Sequence, residues 1–392
     1  MTARALSRFA VVALALSASG CATISSWIPS IPAPGFAWLS GGSRKPGPLP
    51  ELSASVTPSI AWQASVGRAA PGFAPLVTAD AIYAAAIDGT IVRIDPATGR
   101  SVWRASAGRT LSAGVGADAS VVLAGTDKGD VLAFDAGGKA LWTARVGSEV
   151  ISPPKVAEGI AVVFSGDGRV YGLSAADGAV RWVYQRATPP LTVRNNAGAV
   201  IARGGVFFGT AGGRLVGLDL ATGAVGWEAA VATPKGATEL ERIADVTSLP
   251  AVDDRHACAT AYQGRTACFD IVRGTPVWSR DIGSLGGVAM DGSHLYVTDD
   301  AGALHALDKS TGASVWKQDK LAQRRIGGPQ IVGDQVGVVD AEGWLHLVSP
   351  VSGAYVGRVA TDGSAPTSQA AIIVGGVAWQ STAGTLFAAR AR

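Results

Sequence analysis

Residues 217–227 read GLDLATGAVGW, and the same phrase returns as RIDPATGRSVW at 93–103 and ALDKSTGASVW at 306–316. Looser copies are AFDAGGKALW at 133–142, GLSAADGAVRW at 172–182 and CFDIVRGTPVW at 268–278. A decayed one, LVSPVSGAYVG, ends at 357 with Gly where the others carry Trp. Trp62, Trp103, Trp142, Trp182, Trp227, Trp278 and Trp316, followed by the Gly357 slot, are separated by 41, 39, 40, 45, 51, 38 and 41 residues. A period near forty is the mark of a repeat architecture, in which one supersecondary unit recurs.

Upstream of each phrase lies a β-rich run broken by a Gly turn, as in AIYAAAIDGTIVRID (81–95), GIAVVFSGDGRVYGL (159–173) and HLYVTDDAGALHALD (294–308). Short apolar runs around Asp-Gly or Gly-containing turns read as hairpins. With one strand before and the Trp strand after, each unit holds four strands, and helical periodicity is absent. The reading is all-β: a propeller of four-stranded antiparallel blades, a fold that removes long sheet edges by radial closure. Residues 59–67, SIAWQASVG, copy a fourth strand with no hairpin before it, whereas 376–391, GVAWQSTAGTLFAARA, form a hairpin with no fourth strand after it. The N-terminal strand therefore completes the last blade, and seven internal blades plus this composite one make eight. The seven repeat tryptophans are expected to dock between blades, against the small residues of the phrase.

The composition agrees. The 392 residues include 51 Gly and 11 Trp but only 16% charged residues, which excludes a long disordered or polyelectrolyte chain. Such a length ordinarily suggests two or three domains; here one propeller consumes it. Formal charge is +3, and without Arg4 and Arg8 the 31 basic residues nearly balance 30 acidic ones. A general basic surface for nucleic acid is not supported.

Residues 1–20 have a basic start, an apolar run over 9–16 and small residues before Cys21, the layout of a secretory signal. The run is far short of the roughly 20 residues that span a bilayer. Ala18-Ser19-Gly20-Cys21 resembles the bacterial lipobox, with Ala18 where Leu is usual. That resemblance implies lipidation (palmitate) at Cys21, and Ala22 implies sorting to the outer membrane. Residues 21–57, with Pro29, Pro32, Pro34, Pro46, Pro48 and Pro50, read as an extended tether, and 58–392 as the propeller.

The form A-x-D-x-x-T-G-x-x-x-W resembles the repeat of quinoprotein dehydrogenases, which implies two alternatives. One is a periplasmic enzyme using pyrroloquinoline quinone and calcium. Against it, the Asp residues are mostly turn positions, and His256, His294, His305 and His346 are scattered without metal-ligand spacing or a partner carboxylate motif. The expectation is no catalytic residues, no metal and no cofactor.

The other alternative rests on the two long intervals, 45 and 51, which place extra residues around 185–195 and 232–245. Both follow a fourth strand and precede the next inner strand, so they flank blade four on one rim, where long loops on a rigid scaffold carry binding. Pro190-Leu191-Thr192-Val193-Arg194 and the stretch ATELERIADV at 237–246 are similar to the BamB family of outer-membrane lipoproteins. That family carries L-x-[LV]-R and T-E-[IL]-[DE]-R-[LI]-x-D-V there, and the resemblance runs from the lipobox through all the repeats. It implies a non-catalytic scaffold of the β-barrel assembly (BAM) machinery, lipid-anchored and facing the periplasm. It also implies a surface made of Leu191, Val193, Arg194 and Asp245 that docks the barrel component BamA, with nascent outer-membrane proteins as further partners. Thr247 stands where the family commonly has a second Asp. Arg194 either anchors the partner or pairs internally with Asp245. A propeller serving another envelope complex is a third reading. Cys258 and Cys268 sit on the two arms of the hairpin CATAYQGRTAC, as a cross-strand disulfide or as two packed thiols.

Overall fold

Alternation of small apolar residues with turn glycines makes the chain after residue 58 a succession of short strands, with one 3-10 turn at Ala322–Arg324. The computed structural model describes residues 46–53, 56–194 and 196–391. The signal segment, Cys21 and the aromatic residues of the proximal tether lie outside them. The strands assemble into eight four-stranded antiparallel sheets. Blades 1 to 7 span residues 76–106, 111–145, 155–185, 199–230, 251–280, 288–318 and 330–359. Blade 8 takes its three inner strands from 371–390 and its outermost strand, Ser59–Ser65, from the other end of the chain. Each inner strand touches that of the next blade, including the last with the first, so the ring is closed.

The core is a ring as well. The buried apolar residues fall into eight clusters, each between neighbouring blades; one joins Tyr83 and Ile91 of blade 1 to Val122 and Leu132 of blade 2. Another joins Trp62, Leu386 and Ala378 of blade 8 to Ile82 and Val92 of blade 1.

The repeated phrase is the clasp between blades. Each Trp donates its indole N–H to a carbonyl in the third-to-fourth-strand turn of the following blade, for example Trp62 to Pro96 at 3.0 Å, Trp182 to Leu220 at 2.9 Å and Trp278 to Lys309 at 2.8 Å. In five of the seven blades that turn is built by its own Asp, and in blades 3 and 7 Ser174 and Ser349 stand in its place. In blade 6 the Asp308 carboxylate accepts the Ser310 and Thr311 backbone N–H groups and both hydroxyls. Those bonds, the hydroxyls first, hold Asp308 at a pKa of about 2. The Gly closing the turn has positive φ, and at Gly312 (φ 69°) a Cβ would lie 2.6 Å from the Trp278 ring. The T-G pair thus serves both the turn and the face on which the ring rests. Burying so large a ring contributes on the order of a few kcal/mol per clasp.

Seven tryptophans meet seven such turns, and the exception is explained by topology. A Trp at 357 would have to dock on the corresponding turn of blade 8, but no such turn exists there, because the third strand, Thr385–Arg390, and the fourth, Ser59–Ser65, are not consecutive. The N-terminal segment occupies the place instead: Val56 donates its N–H to the Val356 carbonyl (3.1 Å) and Ser53 to that of Tyr355 (2.8 Å). A Cβ on Gly357 would stand 2.7 Å from both the Val56 carbonyl oxygen and Pro58 Cδ. Upstream, Arg358 donates to the Pro50 carbonyl and Arg324 to that of Gly47, both at 2.7 Å. Residues 46–53 and 56–57, read from sequence as the end of the tether, therefore lie strapped along blade 7.

Candidate functional site

The residues of interest sit on one rim, at the connections from blade 3 to blade 4 (186–198) and from blade 4 to blade 5 (231–250). Their organising residue is Asp245, which is only 2% exposed. Its carboxylate accepts the Val193 N–H at 2.6 Å from the first loop and the Gly212 N–H at 2.8 Å from the second-to-third-strand turn of blade 4. Its backbone carbonyl accepts the Tyr262 N–H of blade 5 at 2.8 Å. One buried acid thus fastens three connections together. A carboxylate held by backbone N–H donors needs no cation.

The second loop is shaped by its own T-E-L-E run. Glu241 accepts the Ala237 and Thr238 N–H groups at 2.8 and 3.1 Å, which lowers its pKa, and Thr238 Oγ1 accepts the Glu241 N–H at 3.3 Å. This reciprocal pattern is that of a capping box. Ile243 and Val246 are buried beneath it, whereas Leu240 is 44% exposed, as is Leu191 on the first loop. Val193 is half-buried.

Arg194 does not pair with Asp245. Its Nη2 lies 2.7 Å from Glu149 Oε1 in the connection from blade 2 to blade 3, and its Nε donates to Asn196 Oδ1 at 3.3 Å. The side chain remains more than half exposed, so it lies on the surface with its orientation set.

Between the loops runs a groove of about 560 Å³. Ile151, Phe164 and Phe208 give it apolar walls, and Arg169, Arg186 and Arg194 line it together with the carboxylates of Glu149, Asp167 and Asp245. Burial raises the Tyr184 phenol, and the Glu228 carboxylate bonded to Arg186 raises that guanidinium further. Arg169 is held by Asp167 at 2.7 Å. An apolar trough edged by arginines that carboxylates hold in place suits a partner segment with aliphatic anchors and polar flanks.

Leu191, Val193, Arg194 and Asp245 are brought together, with Asp245 beneath the surface and the other three on it. Sequence reasoning missed Glu149, Arg169 and Arg186. Arg169 was within reach, because second-to-third-strand turns share the rim with these connections and the turn SGDGR at 165–169 carries it. The four histidines, scattered in sequence, each have an Asp: His305 and His346 at 2.8 and 3.0 Å, His256 and His294 at 3.5 and 3.6 Å. Cys258 and Cys268 are direct partners in the blade 5 register, buried and joined as a disulfide. Among the described residues no group of three or more His, Cys, Asp or Glu is placed to hold a metal, and no helix is long and apolar enough to cross a membrane.

A family profile described as "Outer membrane protein assembly factor BamB" matches residues 87–318. The protein so described from Nitrosomonas eutropha is 41% identical over 329 residues, 83% of this chain and 80% of that one. Its counterpart from Bordetella pertussis is 39% identical over 376 residues, 93% and 97% of the two chains. The crystal structure of BamB from Moraxella catarrhalis superposes with a TM-score of 0.77 at 26% identity, over 85% of this chain and 100% of that one.

Proposed function

The chain belongs to the BamB family of outer-membrane protein assembly factors, and from that premise we propose that it works as a non-catalytic scaffold of the BAM complex, docking BamA on the rim that flanks blade four. The observation that carries this reading is the buried Asp245, which ties the two inserted loops to each other on the rim where Leu191, Leu240 and Arg194 are exposed. A surface fixed before contact loses little conformational entropy on binding. Leu191 and Val193 supply the apolar anchors, Arg194 the charged one, and Asp245 positions them from below. Cys21 carries the lipid that holds the chain at the outer membrane, with the propeller on the periplasmic side. Nascent outer-membrane strands add to exposed outer strands of the blades by β-augmentation. Blade 7 is excluded from that role, because the chain's own N-terminal segment bonds to its outer strand. Hydrogen exchange tests this step: slower exchange at the outer strand of any other blade when unfolded barrel substrate is added supports it, and unchanged exchange at every edge removes it.

The docking claim is tested with the full chain and BamA. Leu191→Glu and Arg194→Glu are expected to weaken binding about tenfold or more each, the range of an interface hot spot, with an unchanged urea midpoint. Binding that survives both variants would overturn it.

A further inference from the structure

Beside the docking groove, and sharing Val193 and Arg194 with it, lies a second cavity of about 290 Å³. It is axial: Phe73, which precedes the inner strand of blade 1, and Ser248, which precedes that of blade 5, line the same space. Lys155, the first residue of blade 3's inner strand (Lys155–Ala157), lies on its wall. Across the blade Lys155 is in register with Val162, Gly172 and Trp182, so the row that ends on the rim-side clasp begins on the axis with a lysine. No carboxylate lines the cavity, and among the described residues the Lys155 side chain has no ion-pair or hydrogen-bond partner. The lysine is solvent-reached yet crowded by protein, and that desolvation lowers its pKa. Two hydroxyls on the wall, those of Thr247 and of the buried Ser248, also lack hydrogen-bond partners.

A desolvated ammonium without a counter-charge is costly, and so is a buried polar group left unpaired. Native structures seldom leave such groups unpaired, and here three of them belong to residues that line one space. We propose that this axial cavity is a carboxylate-binding site, with Lys155 as the charge partner and Thr247 and Ser248 as hydroxyl donors. The charge count selects a carboxylate over a doubly charged phosphate, since Arg194, the other cation on the wall, is already committed to Glu149. At about 30 Å³ per water, the space holds a carboxylate with several waters. The carboxylate comes either from a small free acid or from an acidic side chain of a protein docked on the adjacent groove. The site does not depend on the identity of that protein.

The test titrates the full chain, labelled with 13C at lysine Cε, with succinate in one arm and the peptide acetyl-Gly-Glu-Gly-amide in the other. Saturable binding with a shift of the Lys155 resonance is expected. Lys155→Met removes the cation and Thr247→Asp places a competing carboxylate on the wall; each is expected to weaken binding about tenfold or more. Denaturation curves identify any variant that misfolds, and the second substitution then carries the test. Binding of succinate alone assigns the site to a small acid, and binding of the peptide alone to a protein side chain; both support it. If neither probe moves the Lys155 signal, or both variants bind as tightly as the parent, the proposal fails.

Discussion

Asp340 shows how single residues hold this molecule together. It is fully buried, with Arg324 Nε at 2.6 Å and His346 Nε2 at 3.0 Å from its Oδ2. Burial alone would raise its pKa, but the bonds from His346, the Trp344 N–H and Arg324 outweigh that and hold it below the usual range. A lowered carboxyl pKa stabilises the fold above the unfolded value near 4, and that contribution is lost as pH falls through the folded value. Asp340→Asn is therefore expected to cost about 3 kcal/mol at pH 7, since it strips a buried arginine of its main partner. Urea unfolding should show the gap between parent and variant narrowing below about pH 4; a gap independent of pH would refute the assignment. At this scale the sequence is unevenly legible. The clasp was readable because Trp, Asp and Gly recur in fixed order. The Arg194–Glu149 pair, 45 residues apart, was not, because it depends on which loops the ring brings together, and neither was the buried placement of Asp245.

At the scale of elements, the strap along blade 7 is the part that sequence reading left as tether. Its prolines read as extension, which is correct locally, but nothing local says that an extended segment will bond to Tyr355 and Val356. The clue was the missing Trp at 357, whose slot the strap fills. Restoring the repeat with Gly357→Trp should therefore destabilise the protein, by about 1–3 kcal/mol as an overpacked site. The ring would displace Val56 and Pro58 and find no turn on blade 8 to receive it. Thermal denaturation decides the matter: a variant as stable as the parent, or more so, would mean that the slot lost its Trp without structural cause. The strap also shields one outer strand from pairing, a need that propellers meet mainly with short, protected edges.

For the whole molecule, blade number, closure and the position of the two inserted loops all followed from spacing, because each blade repeats one pattern and the ring fixes where the pattern must end. The axial cavity did not, since its wall is assembled from residues of six separate blades or their approaches. The central claim is that the loops flanking blade four dock BamA. It is tested most directly by placing a photo-crosslinking residue at position 191 and irradiating intact cells. The control is position 272, which is 72% exposed but sits in a third-to-fourth-strand turn on the opposite rim. The account predicts a BamA adduct from 191 and none from 272. BamA recovered from 272 and not from 191, or from neither, would contradict it.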